Sequence, residues 1–160
     1  MAGPVPGPAP TWKIGATANA AVRRDVLERV GPFNEVLGAG RPTGVGEDTE
    51  YFYRVLRGGG AIVYQPTAVV LHHHRADRPA LARQLAAYSA GHVGYHLEIA
   101  VHHRDLRGLR RLLVTMPRRD AGRWWAARRG RDDYPMDLLA AEVRGTLAGW
   151  PAWVRARTGR

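Results

Sequence analysis

The feature that most constrains the fold is an apolar stripe between Leu81 and Leu113, whose members recur at spacings of three and four. The stripe consists of Leu81, Leu85, Tyr88, His92, Tyr95, Ile99, His102, Leu106, Leu109 and Leu113. Because residues three and four apart share one face of an α-helix, the stripe predicts a long amphipathic helix or a pair of helices. Small residues at Ala87, Gly91 and Gly94 predict that another element packs closely against it.

The rest of the C-terminal half also reads as helical. Met116-Pro117 is predicted to break the first pattern, and a last helix is predicted from about Met136 to Val154, bent at Pro151. The basic run between them carries Trp124-Trp125. Tryptophan among arginines is typical of a membrane-surface helix, whereas ordinary core tryptophans beside a solvated arginine face are the alternative.

Size and composition restrict the classes that remain. The chain has 160 residues, enough for one domain or part of one, and 45% of them are hydrophobic. The absence of cysteine excludes disulfides and thiolate metal sites. The net charge is +10, with Lys13 as the single lysine among 24 basic residues. Such an arginine bias reflects either a GC-rich genome or contact with anions; no nucleic-acid-binding motif accompanies it, so we predict no nucleic-acid partner.

Nothing in the sequence predicts a membrane span, since no uninterrupted apolar run reaches the length that crosses a bilayer. Residues 1–10 are rich in alanine, glycine and proline and carry no charge, and we expect a flexible lead-in there.

The N-terminal half alternates helical and β-rich patterns, which predicts an α/β fold. A glycine-rich loop over 33–45 separates its two predicted helices, and such a loop is a candidate substrate-facing segment. The predicted elements are a strand over 12–17, helices over 20–30 and 47–57, and strands over 61–64 and 67–71.

An acidic pair at the start of the second helix is the first candidate site. Glu47-Asp48 follows Gly46, so it places a carboxylate at a helix N-terminus beside flexible backbone. Acidic residues there often cap free N–H groups and favour the helix dipole. The same position keeps a carboxylate ionised, as a general base requires. Both roles stay open for Asp48 at this point, and Glu47 shares either one, whereas Glu50 is expected to face solvent.

A histidine cluster, His72-His73-His74-Arg75, ends the last predicted strand. In a strand, His72 and His74 point to one face, where two imidazoles can bind a divalent metal or a phosphate. The alternative is a solvated strand end. Arg75 is suited to a phosphate or a carboxylate. Asn19, in an earlier loop, is either a turn residue or a hydrogen-bonding partner for a polar ligand.

Taken in order, these segments resemble the family 2 glycosyltransferases of the GT-A fold. Residues 15–24 are similar to the family's Gly-Ala-x-x-Asn-x-x-x-Arg-Arg segment, and residues 30–35 to its Val-Gly-Gly-Phe-Asp-Glu signature. Residues 46–56 resemble its Glu-Asp helix, and residues 69–75 its Val-Val-Trp-His-x-His-Arg strand end. The resemblance covers about residues 11 to 75.

The resemblance implies a partial GT-A fold, the Rossmann-like fold of nucleotide-diphospho-sugar transferases, with a helical C-terminal extension. It divides the chain into a lead-in over 1–10, the C-terminal half of a catalytic domain over 11–78, and a basic amphipathic helical region over 79–160. The implied partners are a nucleotide-sugar donor and a glycan or lipid-linked acceptor of the cell envelope. The family's nucleotide-binding N-terminal half, with its Asp-x-Asp metal motif, is missing from this sequence. The resemblance therefore implies either a truncated enzyme or one half of a split enzyme whose other half lies on another chain, and we expect little transfer by this chain alone.

The implied reaction is inverting transfer of a sugar to an acceptor hydroxyl. Asp48 matches the family's general base, with Glu47 as its partner in the motif. We expect Asn19, Gly46 and Arg75 to contact substrate, and His72 and His74 to hold a divalent metal, Mg²⁺ or Mn²⁺. Of the two histidines, His72 matches the position that approaches the metal and diphosphate in the family. The expected location is cytoplasmic, peripheral at the inner face of the membrane. The alternative function is a non-catalytic basic helical module that docks on an anionic membrane surface or on a partner subunit.

Overall fold

A computed structural model describes residues 11–71 and 77–159, and the regular structure of these residues is helical. Two short 3-10 turns come first, at Thr11–Lys13 and Thr17–Asn19, and a π-helical turn, Arg111–Thr115, joins two of the later helices. The α-helices are α1, Arg24–Val30; α2, Glu47–Arg57; α3, Arg78–His102; α4, Arg107–Arg110; α5, Met116–Arg128; and α6, Met136–Thr158.

Helix α3 lies at the centre, and α6 packs along it. Their backbones approach closely because α6 presents glycines to the alanines of α3. Gly145 faces the backbone of Ala86, and a Cβ on Gly149 would lie 2.7 Å from the carbonyl oxygen of Ala90. The contacts with α6 fall at Ala86 and Ala90, which were not predicted. The predicted close packing is confirmed at Gly91 and Gly94, where Val45 and Thr43 of the glycine-rich loop lie against α3.

Three apolar clusters form the core. The first joins α3 to the α4–α5 region through Val93, Leu97, Leu112 and Met116, with Trp150 and Trp153 of α6 packed against it. The second holds α1 against α2. The third joins Tyr53 of α2 to Tyr95 and Ile99 of α3. From Gly91 to Ala100 the residues of α3 are buried almost all round, so the amphipathic stripe describes only the first half of the helix.

The predicted α/β fold is wrong, and so is the partial GT-A, Rossmann-like fold that the resemblance implies, because residues 11–71 and 77–159 contain no strand. The segment predicted as a strand over 12–17 forms 3-10 turns instead. The β-rich runs over 61–64 and 67–71 are irregular, and Val63 and Leu71 are more than four-fifths exposed. β-branched and aromatic residues favour a pleated, half-buried surface, and the described residues provide no neighbouring strand on which such a surface could be built.

Several helix predictions are confirmed. Helix α2 has its predicted bounds, and α1 ends before Gly31 as predicted but begins only at Arg24. Helix α6 starts at Met136, and Pro151 lies within it. Met116-Pro117, predicted as a break, instead starts α5 directly after the π-helical turn, because proline is tolerated in the first turn of a helix, where its missing N–H has no partner to lose.

Glu50 is buried, contrary to the expectation that it faces solvent. Both carboxylate oxygens accept from Arg54 Nε, at 2.9 and 3.0 Å, and His103 Nε2 lies 3.3 Å from Oε1. Arg54 also donates to the carbonyl oxygens of Val30 and Pro32, at 2.6 and 2.8 Å. This network fastens the C-terminus of α1 to α2, and thereby fixes the direction in which α2 presents its first turn.

Candidate functional site

A cavity of about 610 Å³ opens where the first turn of α2 meets the middle of α3 and the start of α5. The Gly15-Ala16 segment and Trp12 close another side. Two of the segments that carry the family resemblance, residues 15–16 and 46–49, therefore meet at one cavity. Its charged lining residues are Glu47, Asp48, Arg111, Arg119 and Glu142.

Gly46 sets the position of the acidic pair. It is buried and immediately precedes α2, with a φ of 117°, a conformation that residues with a side chain rarely adopt. A Cβ at this position would lie 3.0 Å from the carbonyl oxygen of Gly91 in α3. Only glycine allows the start of α2 to sit this close to α3, and this contact places the next two residues at the cavity.

Asp48 lies half-buried in the first turn of α2. Its Oδ1 accepts from the backbone N–H of Thr49 at 2.7 Å and from the Thr49 hydroxyl at 3.3 Å. Its Oδ2 accepts no hydrogen bond from the described residues. One oxygen thus accepts from an N–H group of the first helical turn, while the other has no hydrogen-bond partner among the described residues.

Glu47 turns away from its neighbour towards the glycine-rich loop. A Cβ on Gly38 would lie 3.0 Å from the Glu47 carboxyl carbon. The Oε2 atom of Glu47 is buried and has no hydrogen-bond partner among the described residues. The glycine-rich loop therefore packs against Glu47, the first residue of the acidic pair.

Arg111 provides a cation on the α5 side of the cavity. Its guanidinium carbon lies 4.2 Å from the centre of the Trp12 ring, and its Nε donates to His92 Nε2 at 3.0 Å. Partial burial lowers the pKa of Arg111 from its ordinary value. Arginine nevertheless stays charged in proteins, so the cavity lining combines this cation with the acidic pair.

His92 and His96 form a neutral pair beneath Arg111. Their Nε2 atoms are 3.1 Å apart. Because arginine can only donate, His92 Nε2 must be an acceptor, and His96 Nε2 then carries the proton that it shares with His92. Burial, followed by the charge of Arg111, lowers the pKa of His92 to about 3, and burial, followed by His92, lowers the pKa of His96 to about 2. Both rings act as fixed, uncharged supports for Arg111.

Arg119, the second arginine of the cavity, is paired with carboxylates. It lies 2.8 Å from Asp120 and 3.3 Å from Glu142, which also accepts from the Tyr134 hydroxyl at 2.6 Å. Burial and this contact with Glu142 raise the pKa of Tyr134 to about 12. On the α5–α6 side of the cavity, the charge of Arg119 is therefore paired with the carboxylates of Asp120 and Glu142.

The structure brings Gly46, Glu47 and Asp48 together at one cavity, whereas Asn19 lies outside it. The Asn19 amide donates to the carbonyl oxygen of Ala68 at 2.8 Å, which holds the second 3-10 turn against the β-rich run over 67–71. The predicted metal ligands His72 and His74, and the predicted substrate contact Arg75, lie outside the described residues. Within the described residues, no cluster of three or more His, Asp or Glu side chains could hold a metal ion.

Trp12, His92 and Arg111 were not predicted as site residues. His92 belongs to the apolar stripe, and its place in that stripe predicts a buried side chain rather than a residue that lines a cavity. Arg111 stands in an arginine-rich run together with Arg107 and Arg110, and nothing in the pattern separates the three. Only the packing of the first 3-10 turn against α3 and the π-helical turn selects Arg111.

Comparison of the chain with models of protein families, with curated proteins and with solved structures gives no match.

Proposed function

We propose that this chain takes part in inverting glycosyl transfer from a nucleotide-sugar donor to the hydroxyl of a glycan or lipid-linked acceptor. The observation that carries the proposal is the position of Asp48, half-buried at a cavity with one carboxylate oxygen unoccupied and arginines on the facing wall. The resemblance of residues 46–56 to the family's Glu-Asp helix supports the same role.

The chemistry follows from the side chains present. Asp48 takes the proton of the acceptor hydroxyl as the acceptor oxygen forms its bond to the anomeric carbon. The bond between that carbon and the donor diphosphate breaks on the opposite face, so the anomeric configuration inverts. Negative charge develops on the departing diphosphate, where positive side chains stabilise it.

The resemblance also implies a divalent metal, Mg²⁺ or Mn²⁺, held by His72 and His74, and a nucleotide-binding half supplied by a partner chain. When bound, such a metal neutralises charge on a diphosphate. No step assigned to Asp48 depends on it. The donor class places the reaction in the cytoplasm.

The test is transfer from UDP-, GDP- and dTDP-sugars to a panel of glycan and lipid-linked acceptors, with the product anomer assigned by NMR. Asp48→Asn keeps an oxygen for the Thr49 N–H, so it should preserve the fold while it slows transfer by about 100- to 10,000-fold. Asp25→Asn changes a first-turn acid of α1, outside the cavity lining, and should leave transfer unchanged. Transfer that survives Asp48→Asn would contradict the proposed base.

A second candidate function, docking on an anionic membrane surface, is supported by the exposed face of α5. Trp124 and Trp125 are 41% and 54% exposed. Arg128 lies over the first ring at 4.2 Å and Arg129 over the second at 3.1 Å. Paired tryptophans with arginines one turn away match the composition of helices that lie in the membrane interface.

Among the described residues, no helix combines the length and apolarity needed to cross a bilayer, so contact with a membrane through these residues would be peripheral. Flotation with vesicles that contain an anionic lipid tests this candidate. Binding should weaken with added salt and with Trp124→Ser/Trp125→Ser. Trp153→Phe, at a tryptophan packed against the core, is the control. Equal binding to neutral vesicles would contradict an electrostatic docking surface.

A further inference from the structure

The Arg111 guanidinium is held in place by Trp12 and His92, but most of its N–H donors make no hydrogen bond to the described residues. Trp12 covers one of its faces at 4.2 Å, and its Nε–H is committed to His92 at 3.0 Å. The four N–H groups on its two terminal nitrogens donate no hydrogen bond to the described residues. The described structure therefore fixes the plane of the guanidinium. The N–H donors of the two terminal nitrogens, which form a planar fork, have no hydrogen-bond partner among the described residues.

Arg111 also lacks a counter-charge. Within residues 11–71 and 77–159, no carboxylate lies within salt-bridge distance of it, whereas Arg119 has two such partners. Arg111 is half-buried, and a charge taken partly out of water without a partner carries a free-energy cost. An anion that entered the cavity would supply the missing partner.

We propose that Arg111 is a phosphoryl-binding residue, whose terminal N–H groups bind the phosphoryl oxygens of the ligand while Trp12 and His92 hold the fork in orientation. An arginine fork matches two oxygens of one phosphoryl group, and pre-orientation reduces the entropy lost on binding. The assignment deepens the proposed function and rests on it. Both the donor diphosphate and the phosphate of a lipid-linked acceptor have this chemistry.

Calorimetric titration of the full chain tests the assignment, with inorganic pyrophosphate and UDP as probes for the donor and a short-chain prenyl phosphate as the probe for the acceptor. Arg111→Gln should weaken binding of the preferred probe by roughly 10- to 100-fold, since it removes charge-assisted hydrogen bonds. Preference for UDP and pyrophosphate identifies the donor as the source, and preference for the prenyl phosphate identifies the acceptor.

Arg155→Gln is the matched control. Arg155 is an exposed arginine in the last turn of α6 and lies outside the cavity lining, so its loss removes the same charge and should leave binding unchanged. Arg111→Lys keeps the charge and loses the fork, and it should bind more weakly than the wild type. If Arg111→Gln does not fold, the affinity of Arg111→Lys for the probes tests the assignment instead.

Three results would overturn the assignment: no binding of any phosphoryl probe by the wild type, equal binding by Arg111→Lys, or malonate binding as tight as that of pyrophosphate. The proposed reaction is tested separately by Asp48→Asn, which should slow transfer by about 100- to 10,000-fold and retain pyrophosphate binding. Binding that depends on Arg111, together with transfer as fast in Asp48→Asn as in the wild type, would contradict the proposed base and leave the phosphoryl site standing.

Discussion

The indole N–H of Trp153 donates a hydrogen bond of 2.8 Å to the carboxylate of Glu98, which is buried in the second half of α3. The Asn34 amide donates to the same carboxylate at 3.1 Å, and Arg157 Nη1 lies 3.3 Å from both of its oxygens. One acidic side chain of the central helix thus fixes both α6 and the loop before α2. A buried carboxylate tolerates this environment because its oxygens are satisfied.

We expect Trp153→Phe to lower the free energy of unfolding by about 1–2 kcal/mol, because it keeps the apolar packing and removes one donor from a buried charge. Urea denaturation measures the change. Trp125→Phe, at an exposed position, should change stability by less than about 0.5 kcal/mol. Equal effects of the two substitutions would mean that the hydrogen bond to Glu98 contributes nothing measurable.

The glycines that bring α6 against α3 give a second prediction. Gly149→Ala places a Cβ 2.7 Å from both the Ala90 carbonyl oxygen and the Val93 Cβ, and backbone on the α3 side cannot give way cheaply. We expect a loss of about 1–3 kcal/mol from overpacking, measured by denaturation.

Gly122→Ala is the opposing control. Gly122 lies within α5, and a Cβ there would meet no atom within 4 Å. Alanine should therefore stabilise the chain by about 0.5–1 kcal/mol through its higher helix propensity. A stabilising Gly149→Ala would show that α3 and α6 do not pack as described.

Local signals in the sequence were sufficient for the bounds of α2 and the start of α6, but not for the start of α1, the start of α5 at Met116 or the arrangement of the N-terminal half. The Gly46 and Gly58 boundaries of α2 follow from the glycines that flank it and the acids of its first turn. The β-rich runs were misassigned because β propensity reports a fit to neighbouring strands, which one segment cannot reveal. The acidic pair was predictable from its place at a helix N-terminus.

The opposite wall of the cavity was not predictable. Trp12 and Arg111 are almost a hundred positions apart along the chain, and only tertiary packing brings them together. Glu50 was expected in solvent because glutamate is rarely buried, yet Arg54, one turn later, neutralises it. Long-range pairing of this kind leaves no periodic signal in a single sequence.

The position of Gly46 gives a third prediction. Gly46→Ala adds the cost of a positive φ to a contact of 3.0 Å with the Gly91 carbonyl oxygen. We expect a loss of about 2–4 kcal/mol and, since the first turn of α2 must shift, slower transfer even in molecules that remain folded.

Gly130→Ala separates the two contributions. Gly130 lies after α5, outside the cavity lining, and has a φ of 64°, but a Cβ there would meet no atom within 4 Å, so only the conformational cost applies. Its expected loss is about 1 kcal/mol with transfer unchanged. Denaturation and the transfer assay on both variants check the prediction, and equal losses would mean that the approach of α2 to α3 is not tight.

The buried histidine pair gives the last prediction, a loss of stability in mild acid. In the unfolded chain a histidine takes up a proton near its ordinary pKa of 6.5, whereas folded His92 stays neutral down to a pKa of about 3. Below pH 6.5 the unfolded state therefore binds more protons, so the free energy of unfolding falls as pH falls, by about 1.4 kcal/mol per pH unit for each such histidine. Above pH 6.5 the pair contributes no pH dependence.

The charges around the pair fit this direction. Arg111 and Arg119 oppose protonation of His92, and Asp105 only partly offsets the effect of Arg111 on His96. The hydrogen bond with Arg107 is the main cause that lowers the pKa of Asp105 to about 2, so protonation of Asp105 reduces the free energy of unfolding only at lower pH.

Urea denaturation at several pH values between about 7.5 and 5 measures how the free energy of unfolding changes with pH. His92→Gln should reduce this slope, because the glutamine amide oxygen still accepts from Arg111 and does not titrate. His102→Gln, at an exposed histidine of the same helix, is the control. An unchanged slope in His92→Gln would assign the acid sensitivity to other groups.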